Sequence, residues 1–112
     1  MKKIEAIVRE DRFHVIKNAL EEKGFISMKV SDVIGRGKQK GVTLKWRSGE
    51  HRVEFLPKKK IEIVVEDRDA EAVIDSICEK GRTGAVGDGK IFILPIGEVV
   101  RVRTGEVGAA AI

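Results

Sequence analysis

Lys60–Gly81, KIEIVVEDRDAEAVIDSICEKG, holds two successive patterns that decide the fold. Lys60–Val65 is a short, β-branched run that reads as a strand. Immediately after it, Ala70, Val73, Ile74, Ile77 and Cys78 recur at i, i+3, i+4, i+7 and i+8, the apolar stripe of an amphipathic helix. Asp69 is the expected N-cap of that helix and Gly81 its end. Upstream, the same strand–helix unit recurs. Lys2–Arg9 alternates with Ile4, Ala6 and Val8 on one face, Asp11 is placed to cap a helix carrying Phe13, Ile16, Ala19 and Leu20, and Gly24 ends it. Ile26–Ile34 reads as the second strand and Lys90–Leu94 as the fourth. The order βαββαβ predicts an α+β fold, a ferredoxin-like sandwich of one sheet with two helices on one face and a long loop between strands two and three. Ile7 lies beside Ala6 and Val8, and Val64 beside Ile63 and Val65, so both faces of the strands carry apolar side chains. The face away from the helices is therefore expected to be buried in an oligomer.

Composition narrows the classes. A chain of 112 residues with 42% hydrophobic content reads as a single domain, 1–112, with a modest core. Its 22 basic and 18 acidic residues leave +4, dispersed along the chain. That balance suits anionic small ligands better than a nucleic-acid groove. The single Cys78 excludes an internal disulfide and is expected as a reduced, buried thiol on its helix. With no signal-peptide pattern and no apolar run of membrane-spanning length, a cytoplasmic protein is expected, without direct membrane insertion.

Two segments fall outside the repeated unit. Residues 82–90 contain Thr83-Gly84-Ala85-Val86-Gly87-Asp88-Gly89-Lys90. Glycines at 84, 87 and 89 permit positive φ and leave backbone N–H groups uncovered, which suits phosphate oxygens, and Lys90 adds a cation. Neither GxxxxGK[ST] nor GxGxxG fits. The same residues also read as a tight hairpin turn on Asp88-Gly89. Residues 37–55, the second segment, are long for a connection in a compact domain. They interleave Lys38, Lys40, Lys45, Arg47 and Arg52 with Leu44, Trp46, Val53 and Phe55. Val42–Trp46 and Glu50–Phe55 could also pair as a hairpin across Arg47-Ser48-Gly49. The only Trp sits beside Arg47, and these residue types are enriched at interface hot spots, so Leu44, Trp46 and Arg47 are candidate partner contacts. Trp46 folded back on the body is the competing reading.

At this point several separated motifs carry a resemblance. They are Met1-Lys2-Lys3-Ile4 with Ala6-Ile7, Gly35-Arg36-Gly37-Lys38-Gln39-Lys40-Gly41, Phe55-Leu56-Pro57-Lys58 with Lys60–Val65, Thr83-Gly84, Gly87-Asp88-Gly89-Lys90-Ile91-Phe92, and Arg101-Val102-Arg103-Thr104-Gly105-Glu106. In this order and spacing the chain resembles the PII nitrogen-regulatory signal-transduction family (GlnB and GlnK types), end to end and on its GlnK-like side. The resemblance implies a homotrimer and a regulator rather than an enzyme, with ATP and ADP competing for clefts between subunits and 2-oxoglutarate binding together with Mg-ATP. It implies nucleotide contacts from Ile7, Gly35, Gly37, Lys38, Gln39, Val64, Thr83, Gly84, Gly87, Asp88, Gly89, Lys90, Arg101 and Arg103. By the same likeness, Gln39 would be the side-chain ligand of Mg²⁺, and Lys58 with Gly37, Gln39, Lys40 and Gly41 would hold 2-oxoglutarate. Residues 101–112 would form a C-terminal loop and tail. The physics agrees with such a site: a triphosphate needs cations from separate segments, and Mg²⁺ takes oxygen ligands.

The implied target is an ammonium transporter, because Arg47 matches the position that enters its cytoplasmic mouth in GlnK-type relatives. Glutamine synthetase and nitrogenase are alternatives. Lys38 stands where the family usually has Arg and so lacks the bidentate fork, and Lys29 stands where Thr is frequent near the adenine. Tyrosyl uridylylation is impossible in a chain without Tyr; His51 occupies that position, and Gly49 holds the place of the phosphorylated serine of cyanobacterial relatives. Two other classes fit the residues less well. A nucleotide hydrolase lacks a nucleophile–base pair near Gly87–Lys90, and a single-strand RNA binder would need more stacking platforms than Phe92.

Overall fold

The computed structural model describes residues 1–112. Strand β1 spans Lys2–Arg9, helix α1 Phe13–Glu22, β2 Lys29–Gly35, β3 Val42–Trp46, β4 Gly49–Val53, β5 Leu56–Val65, α2 Asp67–Gly81 and β6 Gly89–Pro95. Four strands form an antiparallel sheet in the order β2-β5-β1-β6, and β3 pairs only with β4. Both helices pack together over one face of the sheet, the expected ferredoxin-like sandwich.

The strand period decides which face they cover. Ile4, Ala6 and Val8 of β1 and Ile61, Ile63 and Val65 of β5 meet Ile16 and Leu20 of α1 and Val73 and Ile77 of α2 in one cluster. Each of the larger aliphatic side chains in it is stabilised by about 1.5–3 kcal/mol through leaving water. Gly81 belongs to this packing. It is the last, buried residue of α2, and a Cβ there would lie 3.2 Å from Ile16 Cδ1, so the glycine allows close helix approach rather than supplying a turn. Gly24 does supply one, at φ +89, just beyond the α1 C-cap.

The opposite face carries charge as well as apolar surface. Lys3 pairs with Glu62 at 2.7 Å and Lys60 reaches Glu5 at 3.9 Å across β1 and β5, and Lys3 also meets Glu5 of its own strand at 3.6 Å. Only 13 residues are buried in the single chain, so the core alone leaves this sheet face uncovered.

Several local expectations change. Asp11 does not cap α1: a 3-10 turn, Glu10–Arg12, feeds straight into the helix, and Arg12 at the cap position already has near-helical φ and ψ. That junction leaves no extended position from which a carboxylate could reach the first free N–H groups. In α2, Glu66 occupies the extended cap position and Asp69 lies inside the first turn. With Asp67 it favours the positive end of the helix dipole, and Asp67 also pairs with the N-terminal ammonium at 3.0 Å. Strand β2 begins at Lys29 rather than Ile26, β4 ends at Val53 rather than Phe55, and Cys78 is half-buried. Residues 42–53 do form the hairpin. It pairs with no strand of the main sheet, and the whole chain, hairpin included, measures 59 × 24 × 21 Å along its principal axes.

Candidate functional site

The C-terminal ends of β1 and β2 and the N-terminal ends of β5 and β6 share one end of the sheet, because the ladder pairs Arg9 with Lys58, Ile7 with Lys90, Val8 with Gly89 and Gly35 with Leu56. A cleft of about 500 Å³ opens there. Arg36, Lys38, Lys58 and Lys90 line it together with Ile7, Gln39, Leu56, Phe92 and the backbone of Gly35, Gly37, Gly41, Gly87 and Gly89. No Asp, Glu, His, Ser or Cys is among the lining residues. The site is a cationic pocket with apolar flanks.

The 82–90 loop is shaped by one carboxylate. Asp88 accepts from the Thr83 and Gly84 N–H groups at 2.9 Å each, from the Thr83 hydroxyl and from Arg9 Nε at 2.9 Å. The Thr83 hydroxyl, then the Arg9 guanidinium and the two amides, hold this carboxyl far below its usual range. Asp88 is thus the centre of a closed loop rather than the corner of a hairpin, and the Thr83 and Gly84 N–H groups are occupied rather than free. Gly89, at φ +103, is required by a close approach: a Cβ would run into the Ile7 carbonyl oxygen.

Lys58 is held at the back of the cleft with only 9% of its surface exposed. Its Nζ donates to the Gly87 carbonyl at 2.5 Å, and Arg9 Nη2 donates to the Val86 carbonyl at 2.7 Å. Burial first, and then the neighbouring Arg9 charge, push the Lys58 pKa down. An anion entering the cleft would relieve that repulsion.

Ten of the residues expected at the ligand site meet here: Ile7, Gly35, Gly37, Lys38, Gln39, Gly41, Lys58, Gly87, Gly89 and Lys90. The others lie elsewhere on this chain. Asp88, Thr83 and Gly84 build the loop behind the cleft, and Lys40 stands outside its wall in a left-handed conformation at φ +61. Val64 lines a second hollow of about 340 Å³ with Phe25, Ile26 and the tail residues Ala109 and Ile112. Arg101 is engaged by Glu106 and by the Ile112 carbonyl, both at 3.2 Å, and Arg103 sits in the following turn. Leu44, Trp46 and Arg47 are on the hairpin. Sequence reasoning missed Arg9, Arg36, Leu56 and Phe92 as parts of this end of the sheet. The signal for Arg9 was its place at the end of the alternating first strand; Arg36 lay in plain view between two glycines.

The hairpin has two unlike faces. Cross-strand partners share a face, so Val42, Leu44 and Trp46 lie with His51 and Val53, while Thr43 and Lys45 lie with Arg52 and Glu50. Trp46 is 59% exposed and stacks on His51 at 4.6 Å between ring centroids, so it does not fold back on the body.

Fold and cleft together define a ferredoxin-like domain with a cationic cleft at one end of its sheet and a hairpin beside it. Comparison with known proteins narrows this. The family model "Nitrogen regulatory protein P-II" matches residues 1–106, and the chain belongs to that family. It is 49% identical, over its full length and 97% of the relative, to nitrogen regulatory protein P-II 2 of Methanothermobacter thermautotrophicus. It is 51% identical, over the whole of both chains, to nitrogen regulatory protein P-II of Microchaete diplosiphon. Among solved structures, an Arabidopsis thaliana PII protein bound to citrate superposes with a TM-score of 0.79 at 44% identity, covering 98% of this chain and 87% of that one. No helix is long and apolar enough to cross a membrane.

Proposed function

We propose that this P-II family member is a nitrogen-regulatory signal transducer that binds ATP or ADP in the sheet-end cleft, takes up 2-oxoglutarate with Mg-ATP, and controls a target through its hairpin. The observation that carries this reading is the cleft lining itself, four cationic side chains and no carboxylate. A nucleoside triphosphate brings close to four negative charges and needs that convergence; charge-assisted hydrogen bonds contribute about 1.5–3 kcal/mol each. Lys38 and Lys90 line the cleft as exposed cations suited to phosphates, and the Gly87 backbone lines it with them. Gln39 supplies an amide oxygen for Mg²⁺, whose remaining positions come from phosphates and the small acid. Desolvated Lys58, with Arg9 beside it, is suited to a carboxylate, and the citrate-bound relative supports the entry of polycarboxylates.

The same reading makes the assembly a homotrimer. Val64, Arg101 and Arg103 lie apart from the cleft within one chain, and contact between subunits would bring one chain's cleft to another's second hollow. The uncovered sheet face with its Lys3–Glu62 and Lys60–Glu5 pairs offers a surface for that contact. Arg101 would exchange Glu106 and the Ile112 carbonyl for phosphate. The target is an ammonium transporter, met by Leu44, Trp46 and Arg47, because a trimer suits a trimeric channel by symmetry; glutamine synthetase and nitrogenase are the other targets the family suggests.

Calorimetric titration with Mg-ATP, with and without 2-oxoglutarate and then with ADP, tests the site. Tight Mg-ATP binding with 2-oxoglutarate uptake only in its presence supports the full reading. Nucleotide binding without any 2-oxoglutarate response reduces it to an adenylate sensor, and absence of nucleotide binding overturns it. Light scattering tests the trimer, and a stable monomer would remove the inter-subunit site.

A further inference from the structure

Between cleft and hairpin lies the turn Gly37–Gly41, closed by the Lys40 N–H on the Gly37 carbonyl at 3.0 Å. Lys40 and Gly41 both have positive φ, +61 and +100, and a Cβ on Gly41 would collide with the Val53 carbonyl oxygen. A turn in so narrow a backbone conformation needs something to hold it. Arg52 of β4 does so from outside: its Nε donates to the Lys40 carbonyl at 2.9 Å and its Nη2 to the Gln39 carbonyl at 3.2 Å. This is a planar fork on two successive peptide groups, a geometry Lys cannot reproduce.

A trans peptide places its C=O and N–H on opposite edges of one plane. Gripping the Gln39 carbonyl therefore aims the Lys40 N–H back at Gly37, and gripping the Lys40 carbonyl aims the Gly41 N–H away from Arg52. The hydrogen bonds of the turn leave that Gly41 N–H free, and Gly41 lines the cleft. A peptide group that accepts from a guanidinium on one edge is polarised into a better donor on the other.

We propose that Arg52 is a positioning residue for the effector: it orients and polarises the Gly41 N–H toward a carboxylate bound in the cleft, and in the same act fastens the hairpin to the turn that the effector touches. This rests on the cleft being the effector site. Because ligand and Arg52 hold opposite edges of the same peptide group, each strengthens the other, and linkage makes the effect reciprocal. An occupied cleft tightens the hairpin, and a tethered hairpin tightens the effector. Arg52 lies on the polar face of the hairpin, so Val42, Leu44 and Trp46 stay free of this tether.

The test uses the whole protein with Arg52→Met, which keeps the length of the stem and removes the fork, and Arg52→Lys. Trp46 is the only Trp, so its fluorescence anisotropy reports the hairpin alone. Expected for Arg52→Met are Mg-ATP affinity within about threefold of the unmodified protein, 2-oxoglutarate affinity about tenfold weaker, and greater Trp46 mobility before any ligand is added, with Arg52→Lys in between. Addition of 2-oxoglutarate with Mg-ATP should slow Trp46 in the unmodified protein and leave it unchanged in Arg52→Met. Equal 2-oxoglutarate affinity, or equal Trp46 mobility in the ligand-free proteins, overturns the proposal. An unmodified protein that takes up neither ligand overturns the cleft reading and the effector coupling with it. A protein that binds both ligands, with Trp46 indifferent to them, overturns only the coupling.

Discussion

The 82–90 loop and the 37–55 segment are made of the same materials, glycines and cations, yet they are held in opposite ways. In the first, one buttressed carboxylate gathers two amides, a hydroxyl and the Arg9 guanidinium, and Lys58 fastens the loop from behind. The second carries its hairpin into solvent on a turn of two left-handed residues, gripped by Arg52 and leaning on the β4 backbone. Arg36 adds an exposed contact, over the Phe55 ring at 5.5 Å. The teaching is that net charge and glycine content do not set stiffness. Stiffness follows from how many independent groups converge on one point, and the cleft lies where a converged loop faces a weakly held one.

The largest effect should come from Gly89→Ala, which attacks the stiff side. The added Cβ meets the Ile7 carbonyl oxygen and the residue must keep φ +103, so strain and overpacking should together cost about 2–4 kcal/mol. Thermal unfolding should show a fall of roughly ten degrees or more. A change of only a degree or two would mean that β6 can slide and that the loop is less fixed than its contacts imply. For comparison, Gly84→Ala meets no atom within 4 Å and carries only the conformational penalty of φ +88.

Next is Lys58→Met. Lys58 is a desolvated cation beside Arg9, so replacing it by an apolar side chain of similar length removes charge repulsion as well as the bond to Gly87. The expected outcome is a melting temperature within about two degrees of the unmodified protein with loss of 2-oxoglutarate uptake, read by calorimetry. If uptake survives, Lys58 is a structural buttress only, and the anion contact belongs to another cation of the cleft.

A third measurement separates the regions by pH. Hydrogen bonds from Thr83, Arg9 and Gly84 lower the Asp88 pKa below its ordinary 3.8, so Asp88 contributes stability that is fully present above that value and is lost as pH falls through the depressed one. Amide exchange at Thr83 and Gly84 should therefore stay slow from neutrality to about pH 4, once corrected for intrinsic rates, and accelerate only in stronger acid. Asp88→Asn should abolish this protection at every pH while leaving the hairpin amides unchanged. A hairpin that loosens together with the loop would show that the two regions share one cooperative unit.

The body was legible because its signals were periodic. Ile61, Ile63 and Val65 followed by Val73 and Ile77 fix one sheet face and one helix face, and the core uses those residues. Helix starts were misjudged because Asp11 and Asp69 are good caps in isolation, whereas the chain enters both helices through backbone geometry decided by the strands before them. Ten site residues could be assembled in advance only because the motifs resembled a known family; spacing alone offered a glycine-rich loop with one lysine. The role of Asp88 was not legible, since which groups a carboxylate gathers depends on the β1–β6 register that brings Arg9 to it. Arg52 looked like one more solvated cation of a basic segment until the hairpin placed it 12 residues from its acceptor and beside it in space.

The smallest expected effect concerns the hairpin tip. Trp46→Ala removes an exposed ring whose stacking on His51 contributes at most about 0.5–1.5 kcal/mol, and to the hairpin alone. The body's unfolding transition and Mg-ATP affinity should be unmoved, because no core side chain touches the ring and the cleft lies at the other end of the hairpin. Its effect should appear instead in binding to purified, detergent-solubilised ammonium transporter, where an aromatic anchor of this kind typically contributes 2 kcal/mol or more, about thirtyfold in affinity. Loss of the melting temperature would mean that the tip packs on something in the assembled protein, and unchanged transporter affinity would move recognition to the polar face with Lys45 and Arg52. Either result would give the weakly held segment a structural duty or a different working face.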